Sequence, residues 1–121
     1  MSEKMLIIAT HGSDSPELAT IPFVMATAAQ ASGVEVVMGF QGEAVDLLQK
    51  EIVDAIAAPN FTPLKDLVDA YIEAGGRLLA CGPCVKTRAI NPEKDFVKNA
   101  TVVNAATFVK EATEAKTTLV Y

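Results

Sequence analysis

The sequence has few of the residues that metal sites and disulfide-bonded folds require. It contains two cysteines, one histidine and no tryptophan in 121 residues. A structural zinc site needs about four ligands, and the chain has no second CxxC pair to complete such a set. Two cysteines close together also do not form the multi-bridge framework of a small secreted domain. The sequence therefore predicts no zinc site within one subunit, no disulfide-stapled fold and no cofactor.

Long apolar runs and basic clusters are also missing. Apolar stretches such as Met5–Ala9 and Leu78–Cys81 fall far short of the roughly 18 to 20 residues that span a bilayer. The N-terminal run is likewise shorter than the apolar region of a signal peptide, which has roughly 7 to 15 residues. The net charge is −5, and no Lys/Arg cluster is long enough to follow a phosphate backbone. We expect a cytoplasmic protein that binds neither membranes nor nucleic acid.

What is present is the composition of one globular domain. Half of the residues are apolar and 21% are charged, and the length is close to the most frequent domain size. Because such a chain can bury a core but is too short for two independent ones, we expect a single domain over residues 1–121.

Apolar runs alternate with helix-like segments along this domain. Strands are predicted at Met5–Ala9, Val34–Phe40, Leu78–Cys81, Thr101–Asn104 and Thr117–Tyr121. The strand-like runs are apolar throughout rather than at every second residue, which is typical of strands buried on both faces. The pattern predicts an α/β fold, a three-layer α/β/α sandwich around a five-stranded, mainly parallel sheet. It leaves the strand order open.

The intervening segments carry helix signals. The first helix is expected to begin at an Asp14 or Ser15 cap with Pro16 in its first turn, and Pro22 predicts a kink or a restart at Thr20. Further helices are predicted at Glu43–Ala57, from a Thr62 cap through Ile72, at Val85–Ile90 and at Ala105–Lys116.

Three loops should meet at the edge formed by the carboxyl ends of the strands, where ligands usually bind. They are His11–Ser15, Gln41–Glu43 and Cys81–Cys84. The third is predicted to carry the chemistry, because the helix after Cys81 directs unpaired amide hydrogens and its positive dipole end at the thiol. Such a thiol is expected to have a lowered pKa, in a range of roughly 3.5 to 7.5, and to be nucleophilic at neutral pH. Lys86 and Arg88 would add positive charge.

The two cysteines permit several kinds of chemistry. Their spacing allows a disulfide across one helical turn, or a persulfide on one sulfur that the other resolves. The alternative is that both are buried apolar residues without reactivity, because free cysteine is among the most buried residue types. His11, at a strand end, is either a hydrogen-bonded loop residue or a catalytic one.

The string Cys81-Gly82-Pro83-Cys84 is identical to the one in thioredoxins, where it also follows a strand and opens a helix. This resemblance is local. A thioredoxin has a Trp just ahead of its motif and a later cis-proline loop, whereas this chain has no Trp and offers only Asn91-Pro92 downstream. A dithiol-disulfide oxidoreductase is therefore our second hypothesis, with a reduction potential of roughly −270 to −180 mV.

A second resemblance covers nearly the whole chain. The opening Ile7–Gly12, the following Asp14–Glu17, the order of elements and the segments Leu79–Cys81 and Arg88–Ile90 resemble the DsrE/DsrF-like family, which includes the TusD sulfurtransferase subunits. In that family a reactive Cys ends the third strand, and an Arg, a small residue and an aliphatic residue follow seven positions later. This chain matches that spacing without a gap.

The resemblance implies that Cys81 carries sulfane sulfur as a persulfide and passes it to a partner protein. Our leading hypothesis adds Cys84 as a resolving thiol, Arg88 and Lys86 as residues that tune the site, and His11 as a proton donor. Single-cysteine members of the family have no thiol at the position of Cys84, so sulfur relay, disulfide reduction or both stay open. The resemblance also implies homotrimers, hexamers or hetero-oligomers, with sulfur donor and acceptor proteins as partners. A third hypothesis is a non-enzymatic binding subunit with buried cysteines.

Overall fold

The computed structural model describes residues 3–121 and contains a five-stranded sheet. The strands are β1 Lys4–Ala9, β2 Glu35–Phe40, β3 Arg77–Cys81, β4 Ala100–Val103 and β5 Thr117–Val120. They lie in the order β4-β3-β2-β1-β5, and every neighbouring pair is parallel. The predicted α/β fold with a five-stranded sheet is confirmed, and the sheet is parallel throughout.

Helices connect the strands and lie on both faces of the sheet. They are α1 Pro16–Ala31, a 3₁₀ helix Gly42–Leu48, α2 Lys50–Ala55, α3 Leu64–Glu73, α4 Gly82–Thr87, α5 Pro92–Asp95 and α6 Ala105–Glu114. Within residues 3–121, none of the helices combines the length and the apolar character needed to cross a bilayer.

The two faces of the sheet are covered very differently. The larger core lies on the face with Ile7, Met38 and Leu78 and includes residues of α1, the 3₁₀ helix, α2 and α3. The smaller core, on the other face, joins Leu6, Ile8, Val37 and Leu79 to Phe108 of α6. The sheet therefore lies between a thick helical layer and a thin one. Cys81 packs against both cores.

The helix predicted over Glu43–Ala57 is divided in two, so that prediction was wrong in its middle. Gln49 has extended backbone angles, φ −81° and ψ 130°, and forms an isolated antiparallel bridge with Phe96. The Val97 N–H donates to the Leu48 carbonyl at 2.7 Å. Because the Leu48 carbonyl accepts its hydrogen bond from a distant segment rather than from the next helical turn, the helix is interrupted there.

The predicted start of the first helix is confirmed, and that of the third is corrected. The first helix runs without a restart at Thr20, whose hydroxyl instead donates to the Pro16 carbonyl at 2.7 Å. Its N-cap is Ser15, which accepts from the Leu18 N–H. The third helix is preceded by Pro63 at the N-cap rather than Thr62, because Pro63 itself is extended at ψ 139°.

The segment after Cys81 also differs from the prediction. The helix predicted at Val85–Ile90 begins earlier, at Gly82, and ends at Thr87. A further short helix, α5, was not predicted; Asn91 caps it by accepting from the backbone of Glu93 and Lys94.

Candidate functional site

The candidate site lies where β3 changes into α4 without an intervening loop. Cys81 is both the last residue of the strand and the N-cap of the helix, with φ −62° and ψ 118°. Pro83 lies in the first turn of α4, where its missing N–H removes a hydrogen bond the helix would not have made. This junction places the Cys81 thiol beside the start of the helix.

The first turn of α4 brings the second thiol to the first. Both cysteines are free and half-buried, and the Cys84 thiol donates a hydrogen bond to the Cys81 sulfur with the two Sγ atoms 2.7 Å apart. The structure thus places the two thiols where they can react with each other. The Gly42 N–H donates to the Cys84 sulfur at 3.3 Å, which connects the loop after β2 to the pair.

The pKa of the Cys81 thiol is raised, whereas the sequence predicted that it would be lowered. Burial is the main cause of its rise above the ordinary value, and the hydrogen bond with the Cys84 thiol raises it further. The expected stabilising groups are present: the Cys84 N–H and the Arg88 charge both lower the pKa. Burial outweighs both, because the Cys81 thiolate would lose its hydrating water at this position. The predicted lowering was wrong for the dithiol protein.

Arg88 joins two of the loops at the site. One guanidinium nitrogen donates to the Cys84 carbonyl at 3.2 Å, and the other donates to a Glu43 carboxylate oxygen at 3.1 Å. Arg88 thus holds α4 against the 3₁₀ helix and supplies the positive charge that acts on Cys81. Lys86 is exposed on α4.

The end of α4 places Ala89, the residue after Arg88, in an unusual backbone conformation. Ala89 has φ +52°, in the left-handed region that L residues with side chains rarely adopt. Its N–H donates to the Lys86 carbonyl at 3.0 Å and the Ile90 N–H donates to the Val85 carbonyl at 3.2 Å. These two bonds form the reversal that commonly ends helices. Sequence reasoning did not find this role, because a glycine is the usual signal for it.

His11 belongs to a different local cluster. Its Nδ1 lies 3.1 Å from an Asp14 carboxylate oxygen, and the other oxygen of Asp14 accepts from the Gly12 N–H at 2.7 Å. Asp46 of the 3₁₀ helix accepts from the Ser13 hydroxyl at 2.7 Å. This cluster follows β1, which is separated from β3 by β2. The structure therefore brings Cys81, Cys84 and Arg88 together and pairs His11 with Asp14.

An apolar cavity of about 280 Å³ opens beside the Cys81 thiol. It lies between α6 and the carboxyl ends of β3 and β4, and its lining is Gln41, Cys81, Pro83, Val103, Ala105, Phe108 and Val109. Sequence reasoning missed the residues contributed by β4 and α6, because neither segment carries a motif. Their involvement depends on the strand order, which places Val103 beside Cys81.

The Phe108 ring packs directly against the sheet because Gly39 has no side chain in its place. A Cβ atom at position 39 would lie 2.5 Å from Phe108 Cε1 and 2.8 Å from Ile8 Cδ1. Both distances are shorter than side chains tolerate without displacement. Gly39 therefore determines how closely α6 approaches the sheet and, with it, the width of the cavity.

The arrangement supports sulfur chemistry of two kinds. The Cys81 thiol can attack an electrophilic sulfur as its thiolate; burial disfavours that ion, and the Cys84 N–H and Arg88 partly offset the effect. A second thiol at contact distance can then attack the product.

Comparison with known proteins relates the whole chain to one family. The model of the DsrE/DsrF-like family matches residues 3–121. Among solved structures, the chain is similar to the ychN protein from E. coli, with a TM-score of 0.82 and 12% identity over 98% of this chain and 99% of that one. It is also similar to MTH1491 from Methanobacterium thermoautotrophicum, with a TM-score of 0.72 and 16% identity over 99% and 100% of the two chains. The comparison with curated proteins gave no match.

Proposed function

Because this chain belongs to the DsrE/DsrF-like family, which is generally related to sulfur relay, we propose that it is a sulfur carrier. Cys81 bears the sulfur as a persulfide and passes it to a partner protein. The observation that carries the proposal is the position of Cys81, which ends β3 beside the first turn of α4 with Arg88 acting on its charge.

The residues around Cys81 assist the loading step. The thiolate attacks the sulfane sulfur of a donor, the donor's S–S bond breaks, and the donor leaves as a thiolate while a new S–S bond forms on Cys81. The Cys84 N–H and the Arg88 guanidinium favour the charged sulfur that this step requires.

Cys84 supplies a way to discharge the persulfide. Its sulfur already touches that of Cys81, at 2.7 Å, so as a thiolate it can attack the Cys81 Sγ of the persulfide. The terminal sulfur then leaves as hydrosulfide and the two cysteines form a disulfide, which an external dithiol must reduce before the next cycle. In the absence of an acceptor, Cys84 therefore limits the lifetime of the carried sulfur.

Intact mass measurement tests the carrier function. After incubation with persulfide donors, among them inorganic polysulfide and cysteine hydropersulfide, Cys84→Ala should gain the mass of one sulfur atom. Cys81→Ala should gain none, although it keeps one thiol. If none of the donors adds mass to Cys84→Ala, the proposal is wrong.

A dithiol-disulfide oxidoreductase is the second candidate function, and the short distance between the two sulfurs favours it. A disulfide between Cys81 and Cys84 closes across one helical turn, as in other CxxC proteins. Insulin reduction by the wild-type dithiol, lost in either single alanine variant, would support this function. Persulfide loading of Cys84→Ala without insulin reduction by the wild type would exclude it.

The role of His11 and the location of the protein stay predictions. His11 is proposed to donate a proton to the leaving sulfur, which requires its loop to reach past the end of β2 to β3. Loading rates of Cys84→Ala with and without His11→Gln test this role, and equal rates between pH 6 and 8 would contradict it.

A homo-oligomer, a trimer or hexamer, is proposed as the working assembly. The exposed side of α1 supports it: Leu18 and Met25 are each 40% exposed and Val24 is 36% exposed. Glu17 is the one charged residue within this helix of 16 residues. A helix that is apolar on all sides usually has neighbours on all sides.

A further inference from the structure

The cavity beside Cys81 restricts which sulfur compounds can reach the thiol. Cys81 and Val103 are register partners on neighbouring strands, and both pack against the Phe108 side of the sheet. Cys81 also packs against the larger core, and it is one of the residues that line the space under α6. A sulfur donor that uses this space must place its own atoms against Val103, Phe108 and Val109.

The lining offers no charge to an ionic donor. Gln41 is the polar side chain among the lining residues, and the remainder are apolar apart from the thiol itself. The Arg88 guanidinium is bonded to Glu43 and the Cys84 carbonyl, outside this lining. Because an ion that enters an apolar site without a partner loses its hydration energy, the cavity disfavours anionic donors such as thiosulfate.

The size of the cavity indicates a small donor. Its 280 Å³ corresponds to roughly nine water volumes, at about 30 Å³ for each molecule in the liquid. This is near the lower end of ligand pockets in proteins. A short alkyl or aryl group fits, whereas a loop of a folded protein does not.

We propose that the cavity binds the apolar tail of a small, uncharged organic hydropersulfide, R–S–SH, and that this compound loads Cys81. The inference rests on the proposed carrier function and names the donor class for it. The Cys81 thiolate attacks the terminal sulfur, the S–S bond of the donor breaks, and R–S⁻ leaves with the electron pair. The terminal sulfur keeps its proton, the product is the Cys81 hydropersulfide, and no outside oxidant or reductant is needed.

Two reagents that modify thiols through the same reactive group test whether the cavity prefers apolar compounds, without persulfide chemistry. Benzyl methanethiosulfonate carries an apolar tail, and 2-sulfonatoethyl methanethiosulfonate carries an anionic one. In both, the thiolate attacks the sulfur that bears the tail, the S–S bond of the reagent breaks, methanesulfinate leaves, and the tail is bound to the cysteine as a mixed disulfide. In Cys84→Ala, the ratio of the two rate constants, benzyl over sulfonatoethyl, should exceed the ratio for a free uncharged cysteine derivative by about tenfold or more, a difference of about 1.4 kcal/mol.

Variants at the rim separate the cavity from general surface effects. Val109 lines the cavity and is 62% exposed, so Val109→Asp should fold and lower the ratio about tenfold by placing a carboxylate beside the tail. Val120→Asp is the matched control: Val120 is 68% exposed on β5, three strands away from β3. It should leave the ratio unchanged. A ratio equal to that of the free thiol, or equal effects of the two variants, would overturn the proposal.

Donor selectivity is then read in the mass assay. Cys84→Ala should acquire sulfur faster from benzyl hydropersulfide than from the anionic glutathione hydropersulfide, and Val109→Asp should remove the difference. Loading with no preference between donors rejects this inference and leaves the carrier function standing. A benzyl preference in the labelling assay without loading by any donor rejects the carrier function, and the donor class with it.

Discussion

At the scale of single residues, the reactivity of Cys81 is a balance of opposing effects. Burial and the neighbouring thiol keep its proton on, while the Cys84 N–H and Arg88 favour the thiolate. The sequence correctly indicated the Cys84 N–H, because a CxxC at a strand-helix junction implies a helix N-terminus, and it indicated the Arg88 charge as well. It could not indicate the effects of burial and of the Cys84 thiol, which depend on how tertiary packing surrounds the Cys81 sulfur.

The pH dependence of Cys81 alkylation should follow this balance. A raised pKa means that the rate of labelling by iodoacetamide increases with pH to a midpoint above that of an ordinary cysteine. Cys84→Ala removes a hydrogen bond that raises the pKa, so its midpoint should be lower than that of Cys81 in the wild type.

Arg88→Gln in the Cys84→Ala background should raise the midpoint again, because a charge that lowers the pKa is lost. Lys86→Gln is the control, since it removes an equal charge from an exposed position on the same helix. Equal midpoints for the two glutamine variants would show that Arg88 has no specific effect on the thiol.

The left-handed backbone of Ala89 gives a prediction on stability. Ala89→Gly should raise the free energy of unfolding by about 0.5 to 1 kcal/mol, because relief of the left-handed strain exceeds the added chain entropy. Ala70→Gly, in the interior of α3, should lower it by about 1 kcal/mol. Urea denaturation measures both, and a loss of stability in Ala89→Gly would contradict the account of the α4 terminus.

At the scale of elements, α6 holds the thin layer in place through Phe108 and through Glu111, three residues further along the helix. The Glu111 carboxylate is buried, 2.6 Å from the Lys4 ammonium and 3.0 Å from the Arg77 guanidinium. The two cations project from the amino ends of β1 and β3. Sequence reasoning placed the helix but not this network, because the three residues become neighbours only through the strand order.

Acid should weaken the attachment of α6. The hydrogen bonds with Lys4 and Arg77 hold the pKa of Glu111 below its ordinary value of 4.5 against the opposing effect of burial. A group with a lowered pKa stabilises the fold above its unfolded pKa, and this contribution is lost as pH falls through the folded pKa.

Glu111→Gln should therefore lower the free energy of unfolding by about 1 to 3 kcal/mol at pH 7, and by progressively less as the pH falls below 4.5. Glu114→Gln is the control, because Glu114 is half-exposed at 3.3 Å from Lys4 and such pairs contribute little. A pH-independent difference between wild type and Glu111→Gln would contradict the ion-pair account.

At the scale of the whole molecule, alternation of apolar runs and helices sufficed to predict the α/β sandwich. Buried parallel strands such as β1, β2 and β3 leave a clear apolar signature. The short edge strand β4 is largely exposed, and the break at Gln49 depends on a long-range bridge to Phe96. Features of this kind depend on contacts between distant residues, and the cavity under α6 is another.

The proposed assembly gives a prediction at the same scale. Light scattering of the wild type should give the mass of a trimer or hexamer, and Met25→Lys should shift it toward the monomer by placing a charge on the exposed side of α1. Val120→Lys, on the edge strand β5, should leave the assembly intact. A monomeric wild type would contradict the proposal, as would an unchanged mass in Met25→Lys.

The central claim is that the transferable sulfur is bound to Cys81, and one measurement tests it most directly. Trypsin should release Leu78–Lys86, which contains both cysteines, from donor-treated protein whose thiols and persulfides have been trapped by alkylation. Fragmentation of this peptide by mass spectrometry shows which cysteine holds the additional sulfur. We predict that it is found on Cys81, and that subsequent exposure to an acceptor thiol removes it. Sulfur found only on Cys84, or on neither residue, would contradict the account.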